Sequence, residues 1–213
     1  DELYENITYR NLLKKEFQVG KSICHPNIVK YDSINDSDDA CYILMENIVG
    51  KTLNEFIDLK PDYFQSRANF DKFFLQLLSA LNCLHQNHVV YSDLKPQNIM
   101  ITQVNNDVKL IDLGFCYTDS FTNTAGTTEG YSAPEHTEKS SLDITTDIYG
   151  IGRIIEFIAL NSRYNLPNVY SKIMQRCLKV RKQDRFQNTS EIVKLINQRK
   201  HTMRKVLISA LAC

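Results

Sequence analysis

The sequence is poor in glycine, with seven in 213 residues, and holds only five prolines. Glycine-rich loops are correspondingly few. It has no charge of either sign to spare: 25 Lys+Arg balance 25 Asp+Glu. Nucleic-acid binding rests on a cationic excess or a concentrated basic stripe, so no nucleic-acid partner is expected. No apolar run reaches the ~18 residues of a membrane-spanning helix, so no membrane segment is expected in this chain. Residues 1–10 lack an apolar stretch behind a basic flank, which argues against a signal peptide. The six cysteines (Cys24, Cys41, Cys83, Cys116, Cys177 and Cys213) are widely spaced and form no C-x-x-C pair. That spacing disfavours a zinc site or a disulfide framework and suits reduced thiols in the cytoplasm.

What remains is a soluble globular composition. Hydrophobic residues at 43% and charged residues at 23% exclude a disordered, collagen-like or multi-span chain. The length suits one large domain or two small ones. Leu12, Leu13, Phe17 and Ile23 predict a helix over 11–23. Two β-rich runs, 28–31 and 41–45, flank the acidic turn 35–39 and predict an antiparallel hairpin. Helical spacing resumes from Thr52 to Leu59. The strongest periodicity follows: Phe70, Phe73, Phe74, Leu77, Leu78, Leu81 and Leu84 recur at i, i+3, i+4 and i+7, the stripe of a long amphipathic helix. Strands at 98–102 and 108–111, joined by Asn105-Asn106-Asp107, predict a second hairpin. Residues 115–132 are polar and non-periodic, a long loop of the kind that carries function. Beyond Pro134 the pattern is helical only. Residues 147–160 are apolar nearly all round and predict a buried central helix, followed by helices at 169–180 and 190–199.

The chemistry-bearing residues lie between the long helix and the buried one. Asp93, Lys95 and Asn98 project from one loop. An acid, a cation and an amide at these offsets suit phosphoryl transfer: Asp93 to orient a hydroxyl and accept its proton, Lys95 to offset phosphoryl charge, Asn98 to hold a metal by its amide oxygen. Asp112, in Ile111-Asp112-Leu113-Gly114, offers a second hard oxygen for Mg2+.

These pieces resemble a eukaryotic-type (Hanks-type) Ser/Thr protein kinase domain. Asp93-Leu94-Lys95-Pro96-Gln97-Asn98 resembles that family's catalytic loop, Asp112-Leu113-Gly114 its Asp-Phe-Gly element, and Ala133-Pro134-Glu135 its Ala-Pro-Glu element. The resemblance, which runs from about residue 11 to about 197, implies an α+β, protein-kinase-like fold. A mostly helical large lobe, 47–213, would follow a truncated small lobe, 1–46, made of helix C and a hairpin. It also implies ATP and Mg2+ as cofactors and a protein substrate bearing Ser or Thr, and it leaves the oligomeric state open. By the same resemblance Asp93 and Lys95 are catalytic, and Asn98 and Asp112 hold metal. Glu16 is the helix C glutamate, Met45 the gatekeeper, and Glu46 and Ile48 the hinge backbone that meets adenine. Asp147 would brace the catalytic loop, and Arg185 would pair with Glu135.

The chain departs from the family pattern in four ways. No G-x-G-x-x-G is present; Gly150-Ile151-Gly152 begins one, but Ile155 stands third. Only 15 residues precede Glu16, too few for three strands, and no strand lysine is placed to meet it. Lys14 and Lys15 are its neighbours on one helix and cannot face it. The expectation is a chain that starts after those strands, or lacks them, and is inactive alone. Tyr91-Ser92 replaces the usual His-Arg, so activity is expected not to depend on phosphorylation of the 115–132 loop, where Thr118, Ser120, Thr122 and Thr124 are the candidate sites. Leu113 replaces Phe. The segment 126–132 is one residue longer than usual, leaving Thr127 or Thr128 as the partner of Asp93 and Lys95. The alternative to a kinase is a pseudokinase or kinase-like binding scaffold. A small-molecule phosphotransferase ranks third, because such enzymes usually carry His where Lys95 stands and lack Ala-Pro-Glu.

Overall fold

The long helix of the sequence pattern is α3 (Arg67–Gln86), and all seven residues of its stripe are buried. Its computed structural model belongs to a chain described here over residues 7–37, 40–116, 130–137, 142–162 and 165–198. Ser66 caps α3 by accepting the Asn69 N–H. Around the stripe, Phe56, Tyr63, Phe64, Phe70, Phe73, Phe74 and Tyr170 pack mostly edge to face, the arrangement that ring quadrupoles favour.

Before α3 come α1 (Ile7–Ser22), strands β1 (Tyr31–Asp36), β2 (Cys41–Met45) and β3 (Gly50–Thr52), and α2 (Leu53–Leu59). After it come β4 (Ile99–Thr102), β5 (Val108–Leu110), α4 (Pro134–Thr137), α5 (Ile144–Asn161) and α6 (Asn168–Cys177). Residues 189–198 are helical again. The mixture is α+β and mostly helical, as expected. α1 begins four residues earlier than the pattern predicts. Its first turn is exposed, with Ile7 68% accessible, so no buried stripe announces it.

Both sheets are small and antiparallel. β1 pairs with β2, Ile34 opposite Ile43. The second sheet has the order β3-β4-β5. β4 and β5 form the expected hairpin; β3 is an addition, three residues too short to show alternation. Residues 28–30 also differ from expectation. They precede β1 rather than belong to it, and Ile28 bridges Leu110 in parallel. Val29 N–H donates to the Leu110 carbonyl, and Leu110 N–H donates to Asn27, both at 2.8 Å. Buried Asn27 adds an Nδ2 bond to Val108 O. This zipper ties the chain between α1 and β1 to the second sheet.

Helix α5 is the buried platform of the larger part. Ile148, Ile151, Ile154, Ile155 and Ile158 are each 0% exposed, and Asp143 caps the helix through the Thr145 N–H. Two glycines set its approach distances. A Cβ on Gly152 would lie 2.8 Å from Cys177 and Leu178 beside α6, and one on Gly150 would lie 2.9 Å from the Leu94 Cβ. Leu94 sits between Asp93 and Lys95, so Gly150 is what lets that loop rest on α5. Gly150→Ala is expected to cost about 1–3 kcal/mol by overpacking. Its unfolding midpoint in denaturant should fall accordingly; an unchanged midpoint would show that the contact yields freely.

No helix among the described residues is long and apolar enough to cross a membrane. Cys24, Cys41, Cys83, Cys116 and Cys177 are free thiols; Cys213 and the tail 199–213 lie outside the described residues.

Candidate active site

The loop after α3 is held from below by α5. Asp147, 1% exposed, accepts the Tyr91 N–H at 2.9 Å on Oδ2 and the Ser92 N–H at 2.8 Å on Oδ1. His85, at the end of α3, meets the same Oδ2 at 2.7 Å. Ser92 has φ of +63°, a left-handed backbone that costs a non-glycine residue about 1–2 kcal/mol. The two charge-assisted bonds from Asp147 hold that turn. It directs Asp93 toward residues 95–98. Asp93 Oδ2 receives Lys95 Nζ at 2.6 Å and Asn98 Nδ2 at 2.9 Å. The same Nδ2 reaches the Asp93 carbonyl at 3.1 Å. Asp93 and Asn98 are both buried, which strengthens these contacts by excluding water.

Asp112 follows β5 and is also left-handed, with φ of +61°. Its Oδ1 accepts the Gly114 N–H at 3.0 Å. Two side-chain hydroxyls fasten the loop around it to the Asp93 loop. The Tyr91 hydroxyl donates to the Ile111 carbonyl, and the Ser92 hydroxyl donates to the Phe115 carbonyl at 2.6 Å. Ile111 N–H in turn donates to Asn98 O. Asp112 is therefore bracketed, one residue before and three after, by two adjacent hydroxyls. Burial of Tyr91 raises its phenol well above its ordinary pKa, so the hydroxyl stays a donor.

Glu16, on α1, reaches this loop from the other side. Its Oε1 accepts the Tyr31 hydroxyl at 2.7 Å, and the Tyr31 oxygen accepts the Leu113 N–H at 3.1 Å. Burial pushes the Glu16 carboxyl up, with Tyr31's hydrogen bond opposing and Asp112's charge adding to the rise. Lys14 and Lys15 do face elsewhere. Lys14 pairs with Asp36, and Lys15 is buried beside Cys116, its pKa lowered by desolvation. Glu16, Asp112 and Gly114 line one cavity with Tyr9, Leu12, Leu13 and Phe115.

Residues 46–49 connect the two sheets, directly after Met45 at the end of β2. Met45 is 44% exposed. Glu46 is fixed by its N–H to Lys30 O, by its carboxylate on the Lys30 N–H, and by Lys109. The Glu46 carbonyl and the Ile48 N–H make no backbone hydrogen bond among the described residues.

Arg185 and Glu135 meet as expected. The bond is bidentate, 2.7 and 2.8 Å, and both residues are buried. Thr118, Ser120, Thr122, Thr124, Thr127 and Thr128 lie outside the described residues.

Divalent metal suits the donors present. Asp112 brings a carboxylate. Asn98 turns its NH2 toward Asp93, which leaves its amide oxygen without a protein donor among the described residues. No group of three or more His, Cys, Asp or Glu that could hold a metal occurs among those residues. Mg2+ takes one or two protein oxygens and fills its shell with phosphate and water, which the Asp112 and Asn98 oxygens suit.

The sequence pattern missed Tyr31, His85 and the two clamp hydroxyls as parts of this site. His85 was within reach, since it ends α3 just before the loop. The others depend on contacts across elements.

The family model for the protein kinase domain matches residues 4–212. The chain is 33% identical over 156 residues to the serine/threonine-protein kinase PrkC of Bacillus subtilis, covering 70% of this chain and 23% of that protein. It is 31% identical over 178 residues to the serine/threonine-protein kinase nekl-2 of Caenorhabditis elegans, covering 76% of this chain and 50% of that protein. The kinase domain of Mycobacterium tuberculosis PknI superposes with a TM-score of 0.68 at 20% identity, over 92% of this chain and 80% of that one. The last is a likeness of fold. Against PrkC and two probable clostridial kinases, this chain spans only 23–32% of the relative's length.

Proposed function

The chain belongs to the protein kinase domain family, and from that premise we propose that it carries the catalytic loop of an ATP- and Mg2+-dependent Ser/Thr protein kinase. The observation that carries this reading is the Asp93 carboxylate, shared by Lys95 and Asn98 on a loop fixed through Asp147. Asp93 acts as the base that orients a substrate Ser or Thr hydroxyl and takes its proton. Lys95 offsets charge on the phosphoryl oxygens. Asn98 and Asp112 are the oxygen donors to Mg2+, which when bound neutralises charge building on the phosphates. The Glu46 carbonyl and Ile48 N–H supply the backbone edge for adenine, beside Met45, and Glu16 faces the phosphate side. Residues 1–46 then form the partial small lobe and 47–213 the hinge and large lobe. The test is transfer of labelled phosphate to a generic basic protein by the full-length protein, with Asp93→Asn as control. Transfer that this control does not reduce would overturn it.

The Tyr91-Ser92 pair supports control without phosphorylation. Arginine at position 92 would form a bidentate ion pair with a phosphate; serine has neither the charge nor the second donor for that. Its hydroxyl instead fastens the Asp93 loop directly to Phe115. Ala at Thr118, Ser120, Thr122 and Thr124 together is expected to leave the rate unchanged. Ser92→Ala, which removes one hydrogen bond of about 0.5–1.5 kcal/mol, should slow transfer by up to about tenfold. If the quadruple variant were dead and acidic residues at those positions revived it, phosphorylation would be the control.

The alternative reading is a pseudokinase or kinase-like binding scaffold. Tight Mg-ATP binding without transfer would select that reading.

A further inference from the structure

Gly20 and Tyr31 are eleven residues apart and fill one space. Tyr31 is 1% exposed. A Cβ built on Gly20 would lie 2.2 to 2.5 Å from three atoms of the Tyr31 ring, closer than any side chain tolerates. Any side chain at position 20 would force the ring to move. With glycine there, the ring passes against the backbone of α1, and its hydroxyl emerges on the far side. There it donates to Glu16 Oε1 at 2.7 Å and accepts the Leu113 N–H at 3.1 Å. One oxygen therefore joins α1 to the backbone of Asp112-Leu113-Gly114. Burial and the adjacent Glu16 carboxylate raise the phenol far above its ordinary value, so it remains a donor.

We propose that Tyr31 is a positioning residue for phosphoryl transfer, its hydroxyl locking Glu16 and the Asp112 loop together in the room that Gly20 provides. This rests on the kinase reading above. A neutral phenol holds Glu16 through a hydrogen bond to a charged group, among the stronger of its kind. It also fixes the loop by a backbone bond that a lysine, with no acceptor, could not make.

Two roles must be separated, filling space and holding the loop. Tyr31→Phe keeps the ring and removes the oxygen. In the full-length protein it should lower kcat about tenfold, leave KM for the protein substrate unchanged, and abolish protection of the Leu113 amide in hydrogen exchange. Gly20→Ala should lower both stability and kcat by displacing the ring. Gly20→Ala with Tyr31→Leu should recover the stability, since the clash is gone, but not kcat, since the hydroxyl is gone too. If the double variant recovers kcat with stability, or Tyr31→Phe keeps full kcat, the residue only packs and the proposal fails. A wild-type protein that transfers no phosphate overturns the kinase reading instead. In that case an unprotected Leu113 amide in the wild type, or one unaltered by Tyr31→Phe, overturns the lock as well.

Discussion

Asp93→Asn is expected to cut phosphoryl transfer by about 10²–10⁴, the range a positioned general base contributes, without unfolding the protein. The amide is nearly isosteric with the carboxylate. It keeps an oxygen for Lys95 Nζ and Asn98 Nδ2, which lie 2.6 and 2.9 Å from the native Oδ2. It cannot accept a proton at neutral pH. The loop itself is held elsewhere, by Asp147 on the Tyr91 and Ser92 amides and by the two clamp hydroxyls. The effect should therefore fall on kcat, with KM for Mg-ATP little changed and the unfolding midpoint preserved. Initial rates with varied ATP and varied protein substrate check it. A variant retaining more than about a tenth of the wild-type rate would remove Asp93 from the role of base.

The second large effect concerns stability. Arg185 is 0% exposed, and its side-chain nitrogens are all engaged. Nε bonds Lys179 O, one terminal nitrogen bonds Glu135 and Thr145 O, and the other bonds Glu135 and Val180 O. The guanidinium also lies over the Tyr149 ring. Arg185→Ala would leave the Glu135 carboxylate buried without the guanidinium that neutralises it, the Thr146 hydroxyl being one of its remaining donors. Removing one partner of such a pair costs about 3–5 kcal/mol, a large share of the 5–15 kcal/mol that holds a typical domain together. Denaturant unfolding reads this directly. A loss below about 1 kcal/mol would mean that the pair is no more than a surface-like contact.

The same pair predicts a pH dependence. Burial alone would raise the Glu135 carboxyl, but its hydrogen bonds and the Arg185 charge outweigh burial and hold it below its ordinary value of 4.5. A depressed folded value stabilises the protein above the unfolded value, and that stabilisation fades as pH drops through the folded value. Unfolding midpoints should therefore fall on acidification below about pH 4.5. Glu135→Gln should flatten this part of the dependence.

How much of this could be read from the sequence follows from the range of each interaction. The α3 stripe is local, a repeat every three or four residues, and all of it is buried as expected. The loop motif is local too, since Asp93, Lys95 and Asn98 span six residues. Asp147 and the Arg185–Glu135 pair are distant in sequence but were reachable through family resemblance. The partner of Glu16 was not. Nothing local says that Gly20 makes room for Tyr31, because that fit exists only once α1 lies against β1. Lys15 shows the same blindness. Helical spacing placed it with the polar spacers beside Leu12 and Leu13, yet it is 6% exposed beside Cys116. β3 escaped because three residues carry no period.

The proposed function requires this chain's loop to move phosphate onto protein hydroxyls. The most direct measurement incubates the full-length protein with Mg2+, ATP labelled at the γ-phosphate and a basic protein, then identifies the labelled amino acids after acid hydrolysis. Label is expected on serine or threonine and disappears with Asp93→Asn. Label on tyrosine alone, or none above that variant, would contradict it.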